Sequence, residues 1–303
     1  MKIQDIGELG LIERISRKIK NDSNVFRGIG DDTAVIKCPG SKYLLFTCDM
    51  LIEDVHFKRK LATPFQIGWK AMARNLSDIA AMGGVAKYAL VSVGIDPKLP
   101  VSFADGVFDG MNAAAKKFKV NIVGGDTSKS AKIVIDISLI GEVEKKFLTL
   151  RSGAREGDGI FVTGFLGGSI KGKHLDFMPR LNEARMLVKN FKVNSMIDVS
   201  DGLLLDLSRI LSASKKGALI YEDLIPVSDK ARSFGSAVTD GEDFELLFTM
   251  GAKEAERFIR HYSLRFETPV SLIGEITSER CGYKIIGKDW KEKRISKKGF
   301  LHF

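Results

Sequence analysis

Cysteine and histidine are scarce in this sequence of 303 residues. Cys38, Cys48 and Cys281 form no CxxC pair and no cluster with histidine, which argues against a structural zinc site and against a disulfide framework. The four histidines, His56, His174, His261 and His302, are scattered. No apolar run approaches the ~18 residues that a membrane span needs. The apolar residues of positions 1–20 are spaced rather than continuous, unlike a signal peptide, so a cytoplasmic location is expected. Low-complexity tracts and close internal repeats are also missing. Lysine and arginine outnumber the acids by 47 to 38, a formal net charge of +9. Yet Lys116-Lys117, Lys145-Lys146 and the tail at 291–298 lack the interleaved aromatics that stack on bases. The basic residues read as a solvated face, with neither a nucleic-acid nor a membrane partner expected; they can also draw in small anionic substrates.

What is present is ordinary globular material, 44% hydrophobic and 28% charged. The length suits two units of roughly 150 residues each, divided into 1–148 and 149–303. Apolar spacing predicts a helix over 8–19, a β-hairpin of strands 34–38 and 43–51 around Pro39-Gly40, and a helix from Pro64 that Gly83-Gly84 stop. That helix carries Asn75 and Asp78 on one face. A strand at 89–95, a helix at 102–118 and strands at 120–123 and 133–143 follow, with Gly124-Gly125-Asp126-Thr127 between the last two. The second unit has strands at 159–163, 196–199, 218–221, 244–250 and 270–276. Its helices are expected at 181–190, 203–212 and 254–262, with Ser200-Asp201 in capping position for the second of them. The expected class is α/β (α+β), two mixed domains.

Gly167-Gly168-Ser169-Ile170-Lys171-Gly172-Lys173 nearly spells a phosphate loop, but His174 stands where that motif places its magnesium-binding hydroxyl. A tight turn after the strand is the better reading. The aspartates carry more information. Asp32, Asp49, Asp78, Asp126, Asp198 and Asp201 each lie at or near an apolar strand end, or on a helix beside a small residue. Gathered carboxylates must protonate or share cations. Oxygen donors without His or Cys partners suit magnesium, which uses few carboxylates and the phosphates of a substrate. Several ions bridging a polyphosphate imply phosphoryl transfer from ATP, in which positioning and charge neutralisation dominate. An acceptor that is itself a phosphate, with a second pKa of about 6, needs no base at neutral pH. His56, after Glu53-Asp54, is either a substrate contact or a surface residue.

Seven ordered motifs resemble the thiamine-monophosphate kinase family, nearly end to end. They are Gly28-Ile29-Gly30-Asp31-Asp32; Thr47-Cys48-Asp49 with His56; the run from Asn75 to Gly83; Gly124-Gly125-Asp126-Thr127; Arg151-Ser152-Gly153; Asp198-Val199-Ser200-Asp201-Gly202; and the run from Gly241 to Leu246. The resemblance implies the aminoimidazole ribonucleotide synthetase-like fold and a homodimer whose N-terminal domains pair their sheets, with ATP across the subunit boundary. It implies direct in-line transfer from ATP to thiamine monophosphate, giving thiamine diphosphate. By the same resemblance Asp32, Thr47, Cys48, Asp49, Asp78, Asp126, Asp198 and Asp201 would hold magnesium, Cys48 only through its carbonyl. Gly125, Asp126, Arg151 and Ser200 would contact ATP, and Asp126 and Asp201 would be catalytic. His56, Glu242 and Phe300 would line the thiamine site, Phe300 by cation–π attraction or else as a packed chain end. The sequence departs from the family at Cys48, where Thr is usual, in the shortened helix after Ser169, and in lacking the Arg-Pro that follows. Other readings are a superfamily enzyme with a different phosphorylated substrate, and a nucleotide-binding scaffold without turnover.

Overall fold

Strict alternation along KYLLFTCDMLI makes the strand Lys42–Ile52 (β3), with Leu45, Thr47 and Leu51 buried and Leu44, Phe46, Cys48 and Met50 exposed. The structure, a computed structural model, describes residues 2–262, 267–295 and 299–300; the end of the basic tail, Lys297-Lys298, and His302 lie outside the described residues. β3 belongs to a sheet with Val25–Arg27 (β1), Ala34–Lys37 (β2), Val85–Ile95 (β4), Asn121–Lys129 (β5) and Val134–Glu144 (β6), in the order β1-β2-β3-β6-β4-β5. Only β4 and β5 pair in parallel, and the helix Val101–Phe118 (α3) makes the crossover that a parallel pair requires. The expected hairpin is β2–β3, in register from Ala34↔Phe46 to Lys37↔Tyr43.

The helix Pro64–Ala81 (α2) lies on the inner face of this sheet. Pro64 at its first turn and a capping box, in which Thr63 accepts from the Gln66 amide at 3.2 Å, start it sharply. Twelve of its 18 residues are buried, because it also touches the second half of the chain. The N-terminal helix Ile3–Ser16 (α1) is broken at Gly7 and buries none of its residues; its apolar side, with Leu9, Ile12 and Ile15, stays exposed. It ends before Ile19, short of the expected limit.

The second sheet contains Asp158–Thr163 (β7), Ser195–Asp198 (β8), Lys216–Tyr221 (β9), Leu246–Gly251 (β10), Val270–Ser278 (β11), Tyr283–Ile286 (β12) and Glu292–Arg294 (β13), ordered β13-β12-β9-β11-β7-β10-β8. Its short helices are Lys173–Asp176 (α4), Leu181–Asn190 (α5), Leu203–Ser214 (α6), Phe234–Thr239 (α7) and Ala252–Tyr262 (α8). Both faces of its centre are buried, which explains why β7 and β10 read as continuous apolar runs. Phe161 and Phe248 face one core that extends to Ile79, Ile137 and Met72 of the first unit, with Phe258 of α8 edge-on to both. Ile160, Val162, Ile197 and Leu247 face a second core under α6. The two sheets therefore share apolar packing, each buried phenylalanine contributing about 2–3 kcal/mol.

Two local expectations are corrected. Gly124-Gly125-Asp126-Thr127 does not lie between two strands but in the middle of β5. At Gly125 a Cβ would stand 1.8 Å from the Val91 carbonyl, so the glycine allows strands to approach rather than turn. Ser200-Asp201 does not cap α6: Gly202 holds the N-cap with no side-chain bond, and the Asp201 amide instead donates to Asp206 at 3.0 Å.

Candidate active site

A cavity of about 670 Å³ opens between the two halves, lined by α1, the residues after β1, the end of β3, α2, and the loops following β8 and preceding β10. The segment Gly28–Thr33 turns here because Gly30 takes φ 117, a conformation closed to most side chains. That turn separates the two acids. Asp31 accepts from the Arg151 amide at 3.0 Å and lies 3.8 Å from Arg27. Asp32 pairs with the Arg151 guanidinium at 2.9 Å and joins the carboxylate group. Burial, then the Asp32 charge, pushes Asp31 up to about 6.

Asp32, Asp78 of α2 and Asp198 at the end of β8 each bring an oxygen within 4.8 Å of the others. Asp78 accepts from Thr47 at 2.5 Å, and Asp198 from Ser77 at 2.6 Å. Burial raises both well above the usual carboxylate range, and the neighbouring acids add to it, Asp49 first for Asp78 and Asp32 first for Asp198. Asp49 lines the same cavity, with Arg74 at 3.1 Å and its amide on Asn75. Thr47 and Asp49 share the inner face of β3, so Cys48 between them turns away; its thiol lies 3.1 Å from Asp136 on the outer face, and burial pushes it up to about 11.

Ser200 and Asp201 line the cavity beyond Asp198. Asp201 pairs with Arg209 at 2.5 Å, and Arg209 also holds the buried Asp206, which burial raises to about 7. Gly125 and Asp126 are not brought to this group. Asp126 is exposed on the edge strand β5, opposite Ser92. Gly125 stands three strand spacings from Asp49, across Val91 and Ile137, about 14 Å.

The same cavity is lined by His56, Glu242, Phe244 and Phe300. His56 Nδ1 accepts from the Ile52 amide at 3.0 Å, which leaves the ring proton on Nε2. Glu242 and Phe244 both have positive φ, 59 and 50. Their strain is held by amides donating to the Ser200 and Val199 carbonyls and by stacking of Phe244 on Phe177. The Phe300 amide donates to the Asp201 carbonyl at 2.9 Å, docking the last described residues on the loop after β8. The near phosphate loop already holds an anion of its own. The Gly167 amide donates to both Asp243 oxygens, at 2.9 and 3.0 Å, and the Ser169 hydroxyl donates to the same carboxylate.

Lys70, Arg74, Arg209 and Phe244 were not visible as site residues from the sequence. The available signal was a lysine and an arginine four apart inside an otherwise apolar helical face, with Ile67, Ala71 and Met72 around them.

Two carboxylate-bearing domains meeting over such a cavity define the aminoimidazole ribonucleotide synthetase class. Residues 30–143 match the AIR synthase related protein N-terminal domain, and residues 141–285 match the C-terminal domain. The chain is 38% identical to thiamine-monophosphate kinase of Rhodopirellula baltica over 91% of this chain and 90% of that one, and 34% identical to that of Bacillus subtilis over 98% and 99%. It superposes on the solved structure of AaThiL complexed with AMPPCP and TMP with a TM-score of 0.86, at 31% identity, covering 100% of this chain and 99% of that one. The chain belongs to the thiamine-monophosphate kinase family. Hydrogenase maturation protein HypE in complex with ATP, at 20% identity and a TM-score of 0.73, shares the fold.

Proposed function

We propose that this protein phosphorylates thiamine monophosphate with ATP, giving ADP and thiamine diphosphate by direct in-line transfer. The observation that carries the reading is the convergence of Asp32, Asp78 and Asp198, from three separate segments, within 4.8 Å of one another beneath a cavity also lined by Glu242 and His56. Three buried acids at that spacing repel unless a cation or protons lie between them, and their all-oxygen donor set fits magnesium. Asp32, Thr47, Asp49, Asp78, Asp198 and Asp201 are the residues of this chain that would hold it. Magnesium held there would supply charge neutralisation for the phosphates of the substrates.

The chain's own residues supply the rest. Arg151 and Arg209 pair with Asp32 and Asp201 and so stand where a polyphosphate would meet them, beside Ser200. Their guanidiniums neutralise these acids and are placed to donate hydrogen bonds to phosphate oxygens. The ionised Glu242 and the aromatic faces of Phe244 and Phe300 suit a cationic thiazolium ring. The acceptor phosphate carries its own nucleophilic oxygen, so no side-chain base is required.

A homodimer is part of the same reading. The outer face of the first sheet exposes Leu44, Phe46, Met50, Tyr88, Leu90, Val123 and Ile140. Phe46, Ile140 and Tyr88 form one cross-strand row, an apolar surface of the kind that marks an interface. Asp126 lies on this outer face with Ser92, so its metal and ATP roles require the assembled pair of sheets. We assign nucleotide and metal binding with dimerisation to residues 1–148, and completion of the site to 149–303. The test is ADP and thiamine diphosphate production from magnesium, ATP and thiamine monophosphate, with the oligomer measured by light scattering. Absence of acceptor-dependent ADP release would remove the reading.

A further inference from the structure

One cation on the wall of the acceptor end is not explained by packing. Lys70, in the middle of α2, is fully buried, with Ile67 one turn before it and Ala73 and Arg74 one turn after it on the same helix face. Its ammonium donates to the His56 carbonyl at 2.7 Å and to the Glu242 carboxylate, and lies 2.7 Å from His174 Nδ1, itself 3.4 Å from Glu242. His174 belongs to α4 and is itself buried. Lys70 therefore ties one helix of the first unit to two segments of the second.

Desolvating an ion pair costs about as much as the pairing returns, so a buried pair is weak evidence of a purely stabilising role. An apolar residue would fill this place in α2 without that cost. What the lysine does is visible in its partners. Two of the three are the residues that line the acceptor end, His56 through its carbonyl and Glu242 through its carboxylate. Burial alone would raise Glu242; the His174 contact and the charges of Lys70 and Arg74 reverse this and bring it down to about 2. Glu242 also sits in the strained left-handed conformation, and the ammonium is the contact that fixes its side chain.

Resting on the acceptor site assigned above, we propose that Lys70 is a positioning residue for the acceptor. Through Glu242 and the His56 carbonyl it sets the geometry and charge of the wall that receives the thiazolium cation, and through His174 it ties that wall to the closure of the two units. The contacts of the Lys70 ammonium go to His56, His174 and Glu242, so its loss acts on the acceptor and spares ATP.

The experiment is calorimetric titration of the whole protein with thiamine monophosphate, and separately with a non-hydrolysable ATP analogue and magnesium. It compares wild type, Lys70→Met, Glu242→Gln, His56→Ala and Lys70→Met/Glu242→Gln, with thermal melts of each. Lys70→Met weakens thiamine monophosphate binding about tenfold or more and leaves the ATP analogue unchanged. In the Glu242→Gln background the same change adds less than about twofold, because the two residues act as one unit. The pH dependence gives a second readout. Lys70 faces Glu242, His174 and His56 from other segments and Arg74 on its own helix; burial brings its pKa down to about 8 against the raising effect of Glu242. Wild-type affinity for the acceptor falls as pH rises through that value, and the inflection is lost in Lys70→Met.

Equal weakening of both ligands, full additivity with Glu242→Gln, or an inflection that persists in Lys70→Met overturns the inference. If Lys70→Met does not fold, Lys70→Gln takes its place in the same comparison. If Glu242→Gln and His56→Ala leave acceptor binding intact, the acceptor site itself is wrong and the inference falls with it. If they weaken binding and Lys70→Met does not, only the role of Lys70 is lost.

Discussion

The two ends of one cavity treat their carboxylates in opposite ways. At the metal end, burial and mutual repulsion raise Asp78 and Asp198 well above the ordinary range, with Arg151 and Arg209 bound to the neighbouring Asp32 and Asp201. At the acceptor end Glu242 meets Lys70, His174 and Arg74, and falls to about 2. The difference lies in whether the protein supplies the counter-charge. Acids left short of cations are prepared for a cation from solution, whereas an acid already satisfied inside the protein offers a fixed negative wall to a bulky organic cation.

Asp198→Asn should give the largest effect that separates the two ends. It lowers kcat at least about 100-fold, while the metal-free protein melts at a higher temperature because one repelling charge is gone. Steady-state ADP release and thermal melts measure both, and an unchanged rate would end the magnesium argument. Glu242→Gln should behave in reverse. The acceptor KM rises about tenfold with that of ATP unchanged, and the protein loses about 3 kcal/mol of stability because Lys70 is left buried without its partner; denaturant unfolding checks the second half. Phe300→Ala removes a cation–π contact of about 1 kcal/mol and raises the acceptor KM several-fold, measured under the same conditions. No change there would make Phe300 a packed chain end.

The smallest effect is on stability against pH. Asp31 and Asp243 are raised from 3.8 to about 6, and Asp206 to about 7, burial being the largest cause in each. Between these values and 3.8 the folded state binds protons that the unfolded chain has released, so stability is greatest at the low end and declines as pH rises through 6 to 7. Glu242, lowered from 4.5 to about 2, has the opposite sign: its contribution is present above 4.5 and lost as pH falls below it. The melting temperature of the metal-free protein should therefore peak near pH 5 and drop by a few degrees towards pH 7.5. Magnesium should flatten that decline. A metal-free melting temperature that rises from pH 5 to 7.5 would contradict the raised carboxylates.

Much of this was legible in the residues. The alternation of β3, the long α2 with Asn75 and Asp78 three apart, and the aspartates at strand ends led to an oxygen-rich site before any coordinates. The ordered motifs placed the chain in its family. Less was legible where a partner comes from far along the chain. Ser200-Asp201 looks like a helix cap, but Arg209 and Asp206 compete for it. Gly124-Gly125 looks like the end of a strand, but the Val91 carbonyl shows that it is a close strand approach inside β5. Gly167–Ser169 looks like a phosphate loop, but Asp243, some 70 residues later, fills it. The short elements β1, α7, β12 and β13 carry too few residues to show a period.

Local sequence by itself determined the elements, the oxygen-only chemistry and the turn at Gly28–Thr33, because periodicity, glycine conformation and donor type are properties of neighbouring residues. Only the tertiary structure decided that Asp32 rather than Asp31 joins Asp78 and Asp198, that Cys48 points away while Thr47 and Asp49 point in, and that a buried Lys70 stands behind the acceptor wall. Those outcomes depend on long-range register and burial, where the energy of a charge is set by groups more than 100 residues away.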